Sequence, residues 1–157
     1  MYYVDMPDNM TIANDTTSIN FDQLPCLNLS LRKATRVLNK IYDQYLEPCG
    51  LKTGQFSILR VLHKTGESTN KKLQSILILD QTTLTRNLKP LIRDGYILIS
   101  PGADRRQKNM RLSKLGESTY QQAKDLWLQA QCHVYGQIGE QQSKKILALN
   151  DILVKLQ

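Results

Sequence analysis

Cysteine is scarce in this chain. Cys26, Cys49 and Cys132 are odd in number and far apart, which argues against a disulfide scaffold and suits a reducing compartment. Histidine is scarcer still. Only His63 and His133 occur, neither beside a carboxylate and a nucleophile, and no Cys/His cluster has metal-ligand spacing. There is no glycine-rich phosphate loop. These absences argue against an enzyme and leave no candidate for a bound metal or cofactor. Long apolar runs are missing too: none reaches the roughly 18 residues that span a bilayer. Residues 1–24 have neither a basic start nor a continuous apolar stretch, so no secretory signal is read there. The expectation is a cytoplasmic protein with no membrane partner.

What is present is positive charge, unevenly placed. The net charge is +7, from 21 basic and 14 acidic side chains. Asp5, Asp8, Asp15 and Asp22 sit in residues 1–25, where there is no Lys or Arg, so the body of the chain is more basic than the total suggests. A basic body attracts polyanions, and nucleic acid is the commonest inside a cell. Residues 1–23 are rich in Asn, Asp and Thr without periodicity and read as a mobile acidic tail.

The 157-residue length allows one domain with an appended helical part, and 41% hydrophobic content is enough for a core. Leu27, Leu31, Ala34, Leu38, Ile41 and Tyr45 recur every three or four residues and predict an amphipathic helix, ended by Pro48 and Gly50. A second helix is expected over 51–64, with Thr53 as its cap and Phe56, Leu59 and Leu62 inward. Gly66-Glu67-Ser68 is a short link with room for one small strand. Thr69 then caps a helix over 70–77 with Leu73, Ile76 and Leu77 buried and Lys71 and Lys72 outside. Beyond Ser113, Leu115, Thr119, Ala123, Leu126, Trp127, Ala130, Val134 and Ile138 form a long stripe. Gly136 and Gly139 predict a bend or break near its end. Ile146, Leu149, Ile152, Leu153 and Leu156 define a last helix whose apolar stripe needs a partner.

Residues 79–113 organise the rest. Asp80 is an N-cap. Leu84, Leu88, Leu91 and Ile92 make one buried stripe, opposite Gln81, Thr82, Thr83, Thr85 and Arg86. Gly95 closes the helix. Pro90 falls inside it and predicts a bend over 86–90, since an interior proline costs about 3 kcal/mol. Residues 96–99 read as a strand, Ser100-Pro101-Gly102-Ala103-Asp104 as a turn, and Met110-Arg111-Leu112 as a returning strand. A polar-faced helix followed by a basic hairpin is the outline of a winged helix-turn-helix. The fold class expected is mainly α with a small β wing.

Thr82-Thr83-Leu84-Thr85-Arg86-Asn87-Leu88, Asp104-Arg105-Arg106 and Leu112-Ser113-Lys114-Leu115-Gly116, with Gly50-Leu51 and Gln55-Phe56 upstream, resemble the MarR family of bacterial transcriptional regulators over roughly 27–156. The resemblance implies a winged helix-turn-helix DNA-binding domain over 49–113 and a helical dimerisation region formed by 24–48 and 114–157. It implies a homodimer on double-stranded DNA, repression as the commoner mode, and release by a small aromatic or anionic effector. Thr methyls suit thymine, Gln suits adenine and Arg suits guanine in the major groove, so Gln81, Thr82, Thr83, Thr85 and Arg86 are expected to face bases or adjacent phosphates. Arg105, Arg106 and Lys108 would form the wing tip, where Arg reads a narrow minor groove, and Asp104 would position an arginine. Arg36, Tyr42, Phe56 and His63 are candidate effector linings. A rival regulator would sense oxidants through Cys26, but Asn28 and Thr53 stand where the family's peroxide sensors place their cysteine and tyrosine. The other rival is a winged helix used only for protein contact, which has no need of a basic turn.

Overall fold

The computed structural model describes residues 24–102 and 107–156. The acidic segment 1–23 and Ala103 to Arg106 lie outside the described residues, and with them the readings placed on Asp104, Arg105 and Arg106. The chain divides into two units, 1–35 and 36–157. In the first, the described part is the entry to α1 (Leu27–Leu46), where the Leu29 N–H donates to Cys26 Sγ at 3.5 Å.

The second unit holds the end of α1, a short 3₁₀ turn (Glu47–Cys49), α2 (Thr53–Thr65), β1 (Glu67–Thr69), α3 (Asn70–Leu77), α4 (Gln81–Arg93), β2 (Ile97–Pro101), β3 (Lys108–Leu112), α5 (Lys114–Ile138) and α6 (Glu140–Val154). Its sheet is antiparallel in the order β1-β3-β2. Ile97 faces Leu112 and Pro101 faces Lys108 in one ladder, and Ser68 faces Met110 in the other. The small strand at 67–69 therefore completes the wing hairpin as a third strand. Lys108, expected at the wing tip, lies at the first position of β3.

Leucines from four helices form the core. Leu46 of α1 and Phe56, Leu59 and Leu62 of α2 meet Leu73 of α3, Leu84, Leu88 and Leu91 of α4, and Ile97 and Met110 of the sheet, all buried. Each such side chain contributes about 1.5–3 kcal/mol of burial. An aromatic ladder ties α2 to α5. His63 stacks on Tyr120 at 4.4 Å, Phe56 lies 5.8 Å from both Tyr120 and Trp127, and the Arg60 guanidinium sits 4.4 Å above Trp127.

Several local expectations need correction. Thr53 is not the cap of α2 but its first helical residue. Lys52 occupies the cap position, and its N–H is taken by Gln55 Oε1 at 2.7 Å. Both the N–H and the hydroxyl of Thr53 donate to Asp43 Oδ1 at 2.7 Å, so a carboxylate ten residues earlier does the capping. Ile76 is exposed, because the short helix α3 buries only Leu73 fully. Leu115 is also exposed. The break read near the end of α5 is present: the helix runs through Gly136 and stops at Gly139, whose φ is 83°. As expected, α4 is continuous across Pro90.

One backbone position is strained. Ile78, between α3 and α4, has φ 51° and ψ 52°, the sole non-glycine residue with positive φ among those described. A β-branched side chain there crowds its own carbonyl. The turn angle that glycine usually supplies in this motif is thus adopted by isoleucine.

Candidate nucleic-acid interface

α3 and α4 with the turn between them make the helix-turn-helix, and the sheet flanks α4. The start of α4 is heavily pre-bonded. Asp80 Oδ1 accepts the Thr83 N–H at 2.8 Å, and Asp80 Oδ2 accepts the Thr83 hydroxyl at 2.7 Å. The Thr83 N–H holds the Asp80 carboxyl below its ordinary range, assisted by that hydroxyl. Thr83 is half-buried, and its carbonyl accepts Asn87 Nδ2 at 2.9 Å. Among the five helix residues expected to face DNA, Thr83 is therefore occupied with the cap.

Gln81, Thr82, Thr85 and Arg86 are exposed. The Thr85 hydroxyl donates to the Gln81 carbonyl at 2.7 Å and accepts Gln81 Nε2 at 3.1 Å. These two side chains arrive at any ligand already paired, with bonds that a base edge would replace. Lys89, one turn beyond Thr85, is also exposed. It extends the Gln81–Thr85 row and is not among the residues singled out from the sequence. The i, i+4, i+8 spacing is the signal that marks it.

Two grooves flank α4. On the sheet side, Thr85, Leu88, Lys89 and Ile92 face Ile99, Lys108 and Met110 across about 310 Å³. On the other side, Thr83, Arg86 and Asn87 face Lys52, Thr53 and Gly54 across about 450 Å³. A Cβ at Gly54 would come within 2.9 Å of Asn87 Oδ1, the end of a side chain that would have to move aside.

The wing root is locked to α5. The Ser113 N–H donates to the Tyr96 carbonyl at 3.0 Å, and the Ser113 hydroxyl donates to the Gly95 carbonyl at 2.7 Å while accepting the Gly116 N–H at 2.9 Å. Gly116 passes so close that a Cβ there would lie 2.0 Å from the Tyr96 oxygen. This explains a glycine three residues beyond Ser113 that sequence alone offered only as a motif match.

Among the described residues, the four candidate effector-lining residues are not brought together in any of the five grooves found. Arg36 lines a groove with Lys40 and Lys52. Tyr42 lines a different one with Leu38, Val134 and Ile146, and its hydroxyl donates to Gln131 Oε1. Burial, with help from Tyr135, pushes the Tyr42 phenol above its usual value. Phe56 is in the core at 2% exposure. His63 Nδ1 pairs with Glu117 Oε1 at 2.7 Å. That bond, with one from Gln121, holds the Glu117 carboxyl below its ordinary range. Arg36 and Tyr42 are separated by helical phase, six residues apart on α1, whereas Phe56 and His63 share one face of α2 and both pack on Tyr120. All three cysteines are free thiols, and burial raises the Cys49 thiol. Among the described residues there is no metal-binding cluster, and no helix is long and apolar enough to cross a membrane.

A helix-turn-helix with a three-stranded wing, its exposed helix polar and flanked by cations, defines a winged helix-turn-helix transcriptional regulator. Comparison with known proteins narrows the class. Residues 51–108 match the MarR family model. Over 92 residues the chain is 33% identical to an uncharacterized HTH-type transcriptional regulator of Bacillus subtilis, YwoH, spanning 59% of this chain and 67% of that one. The crystal structure of the Mycobacterium tuberculosis transcriptional regulator MosR in complex with DNA superposes with a TM-score of 0.73 at 33% identity, covering 85% of this chain and 99% of that one. A mutant MarR of Escherichia coli complexed with operator DNA shares the fold, with a TM-score of 0.73 at 19% identity over 81% of this chain and 92% of the other. The chain belongs to the MarR family of transcriptional regulators and is not an enzyme.

Proposed function

We propose that this regulator acts in the cytoplasm as a homodimer that reads a pseudo-palindromic operator and represses from it. α4 enters the major groove, presenting Gln81, Thr82, Thr85 and Arg86 to base edges and neighbouring phosphates, with Thr83 fixing the helix start. The turn bearing Asp104, Arg105 and Arg106, continued by Lys108, enters the adjacent minor groove. The observation that carries this reading is the exposed polar face of α4 between two cation-lined grooves. The MosR neighbour's complex with DNA supports it.

Dimerisation rests on the apolar side chains left exposed on α5 and α6, among them Leu128, Ile146, Leu147, Leu149 and Ile152. An exposed stripe of that length is the mark of an interface. A two-fold pair would set its two reading helices about 34–36 Å apart, one DNA turn. A small aromatic or anionic effector that prefers another spacing of the two heads would lower DNA affinity by linkage.

Fluorescence anisotropy against DNA from immediately upstream of the coding sequence tests the reading. Nanomolar, salt-dependent affinity for one segment over scrambled DNA is expected. Arg106→Ala should weaken binding to both and flatten the log–log salt slope by about 1 per subunit. An unchanged slope sinks the wing assignment, and a stable monomer on gel filtration at micromolar concentration sinks the two-fold mechanism.

A further inference from the structure

Not all of the uncompensated positive charge lies beside the wing. Arg36 and Lys40 are one turn apart on α1 and, with Asn39 and Lys52, line a groove of about 450 Å³. Asn39, Asp43 and Lys52 are shared with the groove that reaches Arg86 on α4, so the two are continuous. Together they form a channel running from the reading helix, past the start of α2, to α1.

The channel holds four cations, Arg36, Lys40, Lys52 and Arg86, against two carboxylates, Asp43 and Glu47. Asp43 is already committed: Oδ1 takes both donors of Thr53, and Oδ2 lies 3.7 Å from Lys52 Nζ. Among the described residues, Arg36, Lys40 and Arg86 have no carboxylate within ion-pair distance. Leu79 is the one apolar residue in the lining, the others contributing polar ends on aliphatic stems. Small-molecule sites are mostly apolar and enclosed. A polar trough with cations along its length suits a polyanion of regular charge spacing.

We propose that this channel seats the sugar–phosphate backbone flanking each half-site, so that Arg36 and Lys40 carry the grip beyond the bases that α4 reads. The inference rests on the assignment of α4 to DNA. Side chains one turn apart have Cβ atoms about 5–6 Å apart, comparable to neighbouring phosphates on one strand. Asn39, also in the lining, is a neutral donor of the kind that phosphate oxygens accept. Such bonds add affinity and register without sequence preference. Arg36, expected from the family resemblance to line an effector site, thereby acquires a different partner.

The test compares the full-length protein with an Arg36→Gln/Lys40→Gln double variant and, separately, Arg86→Gln. Each is titrated by anisotropy against two duplexes from the upstream DNA, one ending at the bound segment and one extended by about one helical turn, about 10 base pairs, at each end. The wild type should bind the longer duplex more tightly and with a steeper salt slope. The double variant should lose that length advantage and keep its preference for operator over scrambled DNA. Removing two phosphate-neutralising cations from each subunit flattens the slope by about 3.6 per dimer, so a fourfold rise in salt should cost the wild type about 10²-fold more affinity than the variant. A double variant indistinguishable from wild type, with Arg86→Gln weakened, overturns the channel and leaves the α4 assignment standing. If the wild type shows no salt-dependent binding to either duplex, both fall together.

Discussion

Replacing Gly116 with alanine tests how the wing is held. A methyl there would meet the Tyr96 carbonyl oxygen at 2.0 Å and its carbon at 2.9 Å, where ordinary contact begins near 3.4 Å. The obstacle is backbone and cannot rotate away. Tyr96 is pinned on both sides, since its N–H donates to the Leu91 carbonyl at 2.9 Å and its oxygen accepts the Ser113 N–H at 3.0 Å. Making room requires a shift of more than about 1 Å. Overpacking of this kind costs about 1–3 kcal/mol, and two disturbed hydrogen bonds add about 1 kcal/mol each. Helix propensity returns about 1 kcal/mol. The net expectation is a loss of about 2–4 kcal/mol, or roughly 4–16 °C in melting temperature for a chain of this size. Gly136, in the same helix, has nothing within 4 Å of its would-be Cβ. Gly136→Ala should instead stabilise by about 0.5–1 kcal/mol through propensity alone. Circular-dichroism melts at one fixed protein concentration read both. Equal melting temperatures for wild type and Gly116→Ala would refute the clamp, and matching shifts in the two variants would refute the geometric reasoning behind the contrast.

Relieving the left-handed backbone at Ile78 is expected to help: Ile78→Gly removes strain of about 1–2 kcal/mol against about 0.5–1 kcal/mol of added chain freedom, so a urea midpoint at or above wild type is expected and a clear decrease contradicts the strain. The Asp80 carboxyl is lowered in the folded chain by the Thr83 N–H, so its contribution is complete above the ordinary aspartate range and fades as pH falls through the lowered value. Asp80→Asn should flatten the acid limb of stability in urea melts across pH 2–6, and an unaltered limb would show that the cap bonds are absent in solution. Lys89→Gln should reduce the salt slope of DNA binding by about 1 per subunit with base preference intact, and a slope equal to wild type would place Lys89 away from phosphate.

Caps and stripes are legible in the sequence because their causes are local. Asp80, Thr69 and Ser113 each accept an N–H three residues on, a pattern that spacing alone reveals. The leucines of α4 fall on the buried face for the same reason. Thr53 reads as a cap in the sequence, yet its hydroxyl goes to Asp43 on another helix, and no local rule anticipates that partner. Thr83 reads as part of the polar face in the sequence, and only its bonds to Asp80 show that it serves the cap. Arg36, Tyr42, Phe56 and His63 are grouped by resemblance, but helical phase sends Arg36 and Tyr42 to different grooves, while Phe56 and His63 pack together on Tyr120.

α5 has 25 residues, a rod of about 37 Å at 1.5 Å per residue. It begins at Ser113, whose bonds leave no slack between rod and hairpin. If partner chains meet along its far half, a rocking of about 5° there swings the near end through about 3 Å, close to a single base-pair step. A slight change of stance between two copies would then arrive at the double helix as a full-step misfit, with no joint in between to absorb it.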